Sequence, residues 1–231
     1  MAVACHAWNG NLLLEAPRSL VELARAAVRA SGRAVAGILG PHAQVGAARR
    51  ALGLAGAPAT MDSREDLFAL ELAGLRVPGP LAADALRCRP PRPDEVELLI
   101  DWRHDYGVET LGEPPGPATR AAGADWIERF QREGRHWVLE AEGRPVAYSA
   151  FNAMTPECVQ VGGVWTPPAL RRRGYARAVV AGSLLLARGR GVARSVLFTE
   201  TGNHPAQAAY RALGYERVGD YGILLFAEPI S

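Results

Sequence analysis

The sequence contains no lysine, so all 26 of its basic side chains are arginines. Together with the abundant alanine, this absence indicates codon bias in a GC-rich bacterial genome and weakens any argument from a single arginine. The formal net charge is only +2, which argues against nucleic-acid binding through bulk electrostatics. Nor are aromatic and basic residues interleaved as a single-stranded nucleic-acid site requires. We therefore expect no nucleic-acid partner.

Cysteine and long apolar runs are also scarce. Cys5, Cys88 and Cys158 are odd in number and lack the spacing of a metal site, so we expect reduced packing residues and no metal. No run is long and apolar enough for a membrane helix, and the first residues lack the basic and apolar stretches of a secretory signal. We expect a cytoplasmic protein with no membrane partner. Its 231 residues, 48% of them hydrophobic, suffice for one large or two small domains.

The most specific pattern lies between residues 158 and 215. Cys158–Trp165 has the composition of a strand, which the prolines after Thr166 end. An Arg/Gly-rich turn follows, then a helix over 178–188 that is apolar enough to be buried, and then a short strand over 195–199. The sequence therefore predicts a strand-helix-strand unit whose first connection carries the basic turn.

That basic turn suits a phosphate group. The first N–H groups of a helix have no intrahelical partner, and the helix dipole adds about half a positive charge there. Gly174 and the small Ala176 allow the backbone to approach a pyrophosphate closely, and arginines add charge-assisted hydrogen bonds. The turn alone is a short motif that an arginine-rich chain also produces by chance, as a solvated surface.

Residues 171–176, Arg-Arg-Arg-Gly-Tyr-Ala, match the Arg/Gln-x-x-Gly-x-Gly/Ala signature of the GNAT superfamily of acyl-CoA N-acyltransferases, and the chain resembles that family. The resemblance implies acetyl-CoA as co-substrate, with its pantetheine lying along the preceding strand like an extra strand. Thr166 stands where the family most often has valine. The implied cofactor-binding residues are Val164, Trp165, Thr166, Arg171, Arg172, Arg173, Gly174, Tyr175, Ala176 and Asn203.

Asn203 and Tyr210 are seven positions apart, a spacing that recurs in the family. The resemblance implies that Asn203 contacts the cofactor and that Tyr210 is the general acid that protonates the departing thiolate. The alternative for Tyr210 is simple packing between helix and sheet. As general base we favour Glu200, with Glu157, His204 or a water molecule as alternatives.

The acceptor pocket is implied by the loop between the first two helices of the fold, which we predict at 93–106 and 118–132. This gives Glu109, Phe151 and Asn152 as substrate-binding residues, together with Trp102 and Tyr106 as pocket walls. Glu109 in that loop suits a substrate ammonium, but a helix cap or a solvated position is equally open. The acceptor is a small-molecule or protein amine, and a homodimer stays an open alternative.

The fold class that we predict is α/β (α+β), a GNAT fold with a mixed central sheet flanked by helices. The pattern over residues 85–227 gives the order β-α-α-β-β-β-α-β-α-β, with a hairpin around residues 142–144 and a last strand over 222–226. A smaller, partial GNAT-like domain precedes it.

The first eighty residues echo the last seventy. Residues 50–53, Arg-Ala-Leu-Gly, repeat at 211–214, an offset of 161 (211 minus 50) that sets Arg49 against Tyr210 and His42 against Asn203. We therefore predict a tandem protein, with residues 1–80 as a degenerate copy without the cofactor signature and 81–231 as the catalytic domain. The alternative is that Ala-Leu-Gly is a common helix end in an alanine-rich chain.

These observations predict an N-acetyltransferase that transfers the acetyl group of acetyl-CoA to an amine by direct attack. A catalytically weak acyl-CoA-binding sensor or scaffold is the alternative.

Overall fold

The computed structural model describes residues 2–231, and its fold is the predicted mixed α/β sheet flanked by helices. The first elements are β1 (Val3–His6), β2 (Asn11–Glu15), α1 (Leu20–Ser31), β3 (Val35–Gly40), α2 (His42–Ala51), β4 (Ala59–Glu71) and α3 (Gly79–Ala82). The later ones are β5 (Arg87–Arg89), α4 (Val96–Leu111), α5 (Pro117–Glu133), β6 (His136–Ala141), β7 (Arg144–Met154), β8 (Cys158–Trp165), α6 (Tyr175–Arg188), β9 (Arg194–Glu200), α7 (His204–Leu213) and β10 (Glu216–Ile230). From β5 onward the predicted order of elements is confirmed.

The chain forms two compact units that are not continuous in sequence. Unit 1 contains the residues up to Phe68 together with Phe198–His204 and Arg217–Ser231. Unit 2 contains Ala69–Leu197 and Pro205–Glu216. The division into residues 1–80 and 81–231 concerns an internal duplication and stays a prediction.

Unit 1 contains the strand order β1-β2-β3-β10-β4. β2 runs parallel to β3, and β10 pairs antiparallel with the other edge of β3. Leu12, Ile38 and Leu224 of these strands form a buried cluster with Ala24 of α1 and Val45 of α2. The helices therefore bury one apolar face of this part of the sheet.

Two strands of unit 1, β10 and β4, are longer than predicted. β10 covers fifteen residues rather than 222–226, because its pairing with β3 continues past a register shift as far as Ile230. β4 starts at Ala59, although a strand was predicted only from residue 66. Its first half is polar and mostly exposed, so the hydrophobic pattern gave no signal there.

Unit 2 is built on the antiparallel strands β5, β6, β7 and β8. The hairpin between β6 and β7 turns at Glu142 (φ 50°) and Gly143 (φ 75°). Two successive positive φ angles twist a two-residue turn in the sense that the flanking strands need. The predicted hairpin is confirmed.

The two faces of this sheet carry different helices. Tyr148, Ala150 and Trp165 join a buried cluster with side chains of α4 and α5. Helix α6 packs on β5, β6, β7 and β8, and most of its residues are buried, as its composition predicts. The Arg/Gly turn that leads into α6 therefore starts at the end of β8, where the chain leaves the sheet.

The cysteines are only partly the packing residues that we expected. Cys88 lies against Gly182 of α6, and burial raises the pKa of its thiol to about 12. Cys158 is half-buried, and burial raises its pKa as well. Cys5 is exposed, so the packing role is wrong for that residue.

Candidate functional site

The Arg/Gly turn before α6 has the backbone shape of an anion-binding loop. Arg172 (φ 62°) and Gly174 (φ 80°) both have left-handed conformations on either side of Arg173. Alternation of this kind directs successive N–H groups toward one concave face. The first helical bond of α6 runs from the N–H of Ala178 to the carbonyl of Gly174, which leaves the preceding N–H groups of the first turn without an intrahelical acceptor.

The side chains of this turn face solvent. Arg172, Arg173 and Gly174 are exposed, and Tyr175 and Ala176 are half-buried. Across residues 2–231, neither Arg172 nor Arg173 forms an ion pair with an acidic side chain. A Cβ atom added to Gly174 would have only the Arg177 guanidinium nearby, at 3.8 Å. The turn therefore has both open space and available positive charge.

Arg171 differs from its neighbours because its guanidinium is occupied. It forms a bidentate ion pair with Glu109, with Nη1 to Oε1 at 2.7 Å and Nη2 to Oε2 at 2.9 Å. Its Nε donates to the Thr166 carbonyl at 2.9 Å, and its Cζ lies 4.8 Å from the centre of the Trp165 ring. Arg171 thus ties the turn to α4, and a phosphate contact would compete with this pair.

Glu109 lies in the last turn of α4 rather than in a loop, so its predicted position is wrong. The helix continues to Leu111 and ends at Gly112, whose φ of 67° terminates it. The prediction places the end of this helix at Tyr106, where the apolar spacing is lost. In the structure the helix continues for another turn, which the ion pair between Glu109 and Arg171 stabilises. In this structure the Glu109 carboxylate is neutralised by Arg171.

β8 has an irregular edge next to the turn. Tyr148 of β7 is opposite Trp165, but Ala150 is opposite Gly162, so β8 has one extra residue between these two pairs. Gly163 lies in this bulge with a φ of 60°. On the edge of β8 that faces β9, the parallel pairing covers Cys158, Val159 and Gln160 and ends at Gln160. Beyond Gln160, the backbone of β8, including Val164, is not paired with β9 and can pair with another extended group.

Two buried polar atoms at the end of this edge lack partners. The Trp165 Nε1 and the Thr166 Oγ1 are buried, and neither finds a hydrogen-bond partner among the described residues. Trp165 is only 5% exposed. A buried donor without an acceptor destabilises a fold, and a bound ligand can satisfy it.

Tyr210 lies on α7 and is half-buried. Burial and the neighbouring Tyr106 raise the pKa of its phenol. Its ring meets Tyr215 edge-on at 6.0 Å between centroids, and the ring of Tyr106 meets Trp165 edge-on at 6.2 Å. Tyr106 therefore interacts both with Tyr210, the predicted acid, and with Trp165 at the end of β8. The Tyr210 phenol is therefore protonated near neutral pH, and the raised pKa makes it a weaker proton donor than an exposed tyrosine.

Glu200, the last residue of β9, and Asn203 belong to the segment Phe198–His204 of unit 1. The backbone N–H of Asn203 donates to the Glu200 carbonyl at 2.9 Å, so a tight turn joins these two predicted residues. The Glu200 side chain is exposed.

Glu65 of β4 is a second carboxylate near Glu200 that sequence reasoning missed. Burial raises its pKa, and the charges of Glu200 and Asp66 raise it further, against a lowering hydrogen bond from Ser63. Its side chain is buried, at 6% exposure. An acidic residue in a strand pattern carries no signal of such a neighbourhood, because the pattern does not identify the facing strand.

Phe151 and Asn152 have different environments. Phe151 is 1% exposed and packs on Trp137 at 4.3 Å between ring centroids, which assigns it to the core and argues against contact with a substrate. Asn152 is exposed, and its amide covers the place that a side chain at position 162 would occupy. Of the two, only Asn152 can meet a ligand at the surface.

A small cavity lies between α4, α5 and the end of β8. Four aromatic residues line it, together with two aliphatic side chains, Arg103 and the bulge residue Gly163; the aromatic residues are Trp102, Tyr106, Tyr148 and Trp165. The space between these atoms admits about one water-sized group. Trp102 and Tyr106 therefore line this cavity, and their role as walls of an acceptor pocket stays a prediction.

Behind this cavity, a buried hydrogen-bond chain holds Tyr148. The Nε2 of His136 donates to the Gln131 Oε1 at 2.7 Å, and its Nδ1 accepts from the Tyr148 hydroxyl at 3.0 Å. Burial lowers the pKa of His136 to about 4. His136 is therefore neutral near pH 7 and can fill the acceptor role at Nδ1.

Within residues 2–231, three or more His, Cys, Asp or Glu side chains never come together in a way that would hold a metal ion. None of the helices in this range is both long and apolar enough to span a bilayer.

Comparison with solved structures finds the same fold in other proteins. A GCN5-related N-acetyltransferase from Kribbella flavida is 21% identical and superposes with a TM-score of 0.61, covering 94% of this chain and 81% of its own. A GNAT-family acetyltransferase from Colwellia psychrerythraea is 14% identical with a TM-score of 0.61, covering 97% and 81%. A Drosophila protein is 16% identical with a TM-score of 0.63, covering 93% and 70%. At these identities the likeness concerns the fold alone.

The comparison by sequence gives the family. None of the curated proteins matches the chain significantly. The model of the acetyltransferase (GNAT) family matches residues 96–215, more than half of the chain, and this range includes β8, the Arg/Gly turn and Tyr210. The chain therefore belongs to the GNAT family of acetyltransferases.

Proposed function

We propose that this protein is an N-acetyltransferase that transfers the acetyl group of acetyl-CoA to an amine by direct attack. The observation that carries the proposal is the turn over 171–176. There, left-handed Arg172 and Gly174, the open start of α6 and exposed arginines all face solvent at the end of β8. This combination favours a pyrophosphate ligand.

The pantetheine arm fits along the β8 edge that β9 leaves after Gln160. An extended amide chain there would pair with the backbone near Val164, Trp165 and Thr166, as a strand would. The Trp165 Nε1 and the Thr166 Oγ1 lie at the end of this edge and are available to ligand atoms. This arrangement would bring the thioester near the bulge at Gly163.

In the proposed reaction the amine nitrogen attacks the thioester carbonyl carbon and forms the new C–N bond. The C–S bond then breaks, and the Tyr210 phenol gives its proton to the departing thiolate. The phenol is protonated near neutral pH before it acts, as an ordinary tyrosine also is. The proton lost by the amine goes to Glu200, directly or through water, which completes an amide and a free thiol.

The acceptor is a small-molecule or protein amine, and the proposed site of action is the cytoplasm. Asn152 is the exposed residue that we propose to meet the acceptor. A role for Glu109 in holding an ammonium group requires its ion pair with Arg171 to open. A scaffold without turnover is disfavoured because the chain keeps both Asn203 and Tyr210 at the spacing that recurs in the family.

Calorimetric titration with acetyl-CoA, and in parallel with free CoA, tests the cofactor site. Gly174→Asp places a carboxylate where the pyrophosphate is proposed to bind. We expect binding to weaken by about a hundredfold, through lost hydrogen bonds to a charged group and repulsion.

Gly53→Asp is the matched control. Gly53 has a nearly identical φ of 75°, with no other atom within 4 Å of an added Cβ, but it follows α2 and is outside the signature. It therefore reproduces the backbone strain without the charge effect. Equal affinities of wild type and Gly174→Asp, or equal losses in both variants, would contradict the proposed site.

A further inference from the structure

Arg103 of α4 is a mostly buried cation with one acidic partner. Its side chain is 15% exposed, and its Cζ lies 5.6 Å and 5.7 Å from the ring centroids of Tyr106 and Trp126. Within residues 2–231 its ion pair is with Glu113, at 3.3 Å from Nη2 to Oε1 and 3.4 Å from Nη1 to Oε2. Both distances exceed the length of about 2.8 Å that is usual for a charge-assisted hydrogen bond. Arg103 can therefore bind another carboxylate more closely than it binds Glu113.

The Glu113 carboxylate can leave this position without a change in the backbone. The backbone N–H of Glu113 donates to the Gly107 carbonyl at 3.0 Å, at the end of α4. Its side chain is 32% exposed and lies over Gly107, where an added Cβ would overlap with the carboxylate. Rotation of this side chain into solvent uncovers both Arg103 and the space that the glycine leaves on the surface of α4.

The two rings under Arg103 connect it to the proposed reaction, so this inference rests on the proposed function. A Cβ added to Gly163, in the bulge of β8, would lie 3.3 Å from the Trp126 ring. Tyr106 interacts with Tyr210, the proposed acid. Arg103 is thus separated by one ring from the bulge and by one ring from the acid.

The charges at this position favour an anion. The last turn of the same helix carries Glu109, but Arg171 neutralises it, so it offers no free counter-charge to an ammonium group. Arg103 presents a planar guanidinium whose N–H groups match the two oxygens of a carboxylate. We infer that the acceptor amine also carries a carboxylate, which binds Arg103 in place of the Glu113 side chain. The Glu113 carboxylate marks the position that the acceptor carboxylate takes.

Pairs of amines that differ by one carboxylate test the inference. With acetyl-CoA as donor, we compare L-phenylalanine with 2-phenylethylamine, 4-aminobutyrate with propylamine, and 6-aminohexanoate with pentylamine, by thiol release and by the mass of the amide. The three pairs place the carboxylate at different distances from the amine. In the wild type we expect the carboxylate-bearing member of at least one pair to have a kcat/KM about thirtyfold higher, as hydrogen bonds to a charged group contribute.

Arg103→Gln removes the charge. It should abolish this preference by raising KM for the carboxylate-bearing amine, and change kcat/KM for the matched amine by less than about twofold. A merely structural role would lower both values equally. Arg120→Gln is the matched control, because Arg120 of α5 also forms ion pairs, with Glu97 and Asp101 of α4, but on an exposed surface. It should keep the preference.

Glu113→Gln removes the competing carboxylate. It should lower KM for the preferred carboxylate-bearing amine about threefold, in the range that a partly exposed ion pair contributes, and leave the matched amine unchanged. This variant replaces Arg103→Gln if that variant does not fold, as a thermal melt will show.

Equal kcat/KM values within all three pairs would overturn the inference and leave the proposed acetyl transfer to an amine standing. A preference that persists in Arg103→Gln, or an unchanged KM in Glu113→Gln, would also overturn it. So would turnover of none of the six amines, and calorimetry with acetyl-CoA would then decide separately whether the cofactor site stands.

Discussion

The segments β2-α1-β3-α2 and β8-α6-β9-α7 have the same order of elements but differ at the first turn. In both, the two strands are parallel, and the first helix follows a left-handed residue, Ser19 (φ 56°) in one and Gly174 (φ 80°) in the other. The backbone geometry is thus similar, while the run of three arginines and the glycine occur only in the second segment; the first has the single exposed Arg18. The comparison teaches that the binding chemistry of such a unit depends on a few turn residues rather than on the strand and helix framework.

The second helix of each segment shows the same contrast. At the offset of 161, Tyr210 corresponds to Arg49. Arg49 donates to the carbonyls of Leu54 and Ala57 and pairs with Asp62 at 2.9 Å. Where one segment has a phenol suited to proton transfer, the other has a side chain that fixes the following loop. This is consistent with the duplication hypothesis, in which the first copy has lost the cofactor and acid residues.

The largest effect that we expect separates Tyr210 from its tyrosine neighbour. Tyr210→Phe removes the proposed proton donor and should lower kcat about a hundredfold, the lower range for general acid catalysis. The dissociation constant for acetyl-CoA should change by less than about twofold, because the ring remains. Steady-state kinetics and calorimetry together check this.

Tyr215→Phe is the control for that measurement. The Tyr215 hydroxyl bonds the Ser195 hydroxyl at 2.6 Å, so its loss should lower the free energy of unfolding by about 1 to 3 kcal/mol and leave kcat near wild type. Equal kcat values for wild type and Tyr210→Phe would remove Tyr210 from the mechanism.

The next effect uses pH, since the unit with the signature also contains the buried His136. Its pKa is lowered from the ordinary 6.5 to about 4, so between these values the unfolded chain binds a proton that the folded chain does not. This contribution to stability is complete above pH 6.5 and is lost as the pH falls. The loss amounts to about 2 kcal/mol between pH 6.5 and 5.

Urea unfolding of wild type and His136→Gln at both pH values measures this contribution as a difference. Glutamine keeps hydrogen-bonding groups but does not titrate, so the variant should lose less stability on acidification. The same pH dependence in both proteins would mean that His136 is not the group responsible.

A smaller effect concerns the counterpart of the acid in the first segment. Arg49→Ala should lower the free energy of unfolding by about 1 to 2 kcal/mol, mainly through its lost bonds to backbone carbonyls, and leave kcat unchanged. Arg50→Ala, at an exposed position of the same helix, should stay within about 0.5 kcal/mol of wild type. Chemical denaturation and kinetics of both variants check this. A large fall in kcat for Arg49→Ala would break the comparison.

The smallest effect concerns the first turn itself. Ser19 has a left-handed backbone that glycine adopts without strain, so Ser19→Gly should raise the free energy of unfolding by about 0.5 to 1 kcal/mol. Acetyl-CoA affinity should not change, because backbone geometry with the single Arg18 does not reproduce the run of three arginines at the other turn. A second binding event in calorimetry would contradict this view.

Local sequence patterns predicted those parts of the structure whose conformation depends on residues close together in the chain. The bounds of β8 agree with prediction, and so does the position of the β6–β7 hairpin. Each is encoded by strand alternation or turn chemistry over a few residues. The Arg/Gly turn belongs to the same class, since glycine and arginine act through their own backbone freedom and charge.

The sequence pattern did not predict contacts between segments that lie far apart in the chain. Pairing of β10 with β3 makes the last strand longer than predicted. Glu109, which we predict in a loop, lies in α4 and forms an ion pair with Arg171. Strand alternation did not reveal that Phe151 packs on Trp137, because that contact depends on the pairing of β7 with β6. The sequence by itself determined the order of the elements and the signature turn. Only the tertiary structure decided which charges are already neutralised and how small the cavity is, because both depend on residues that folding brings together from far apart in the chain.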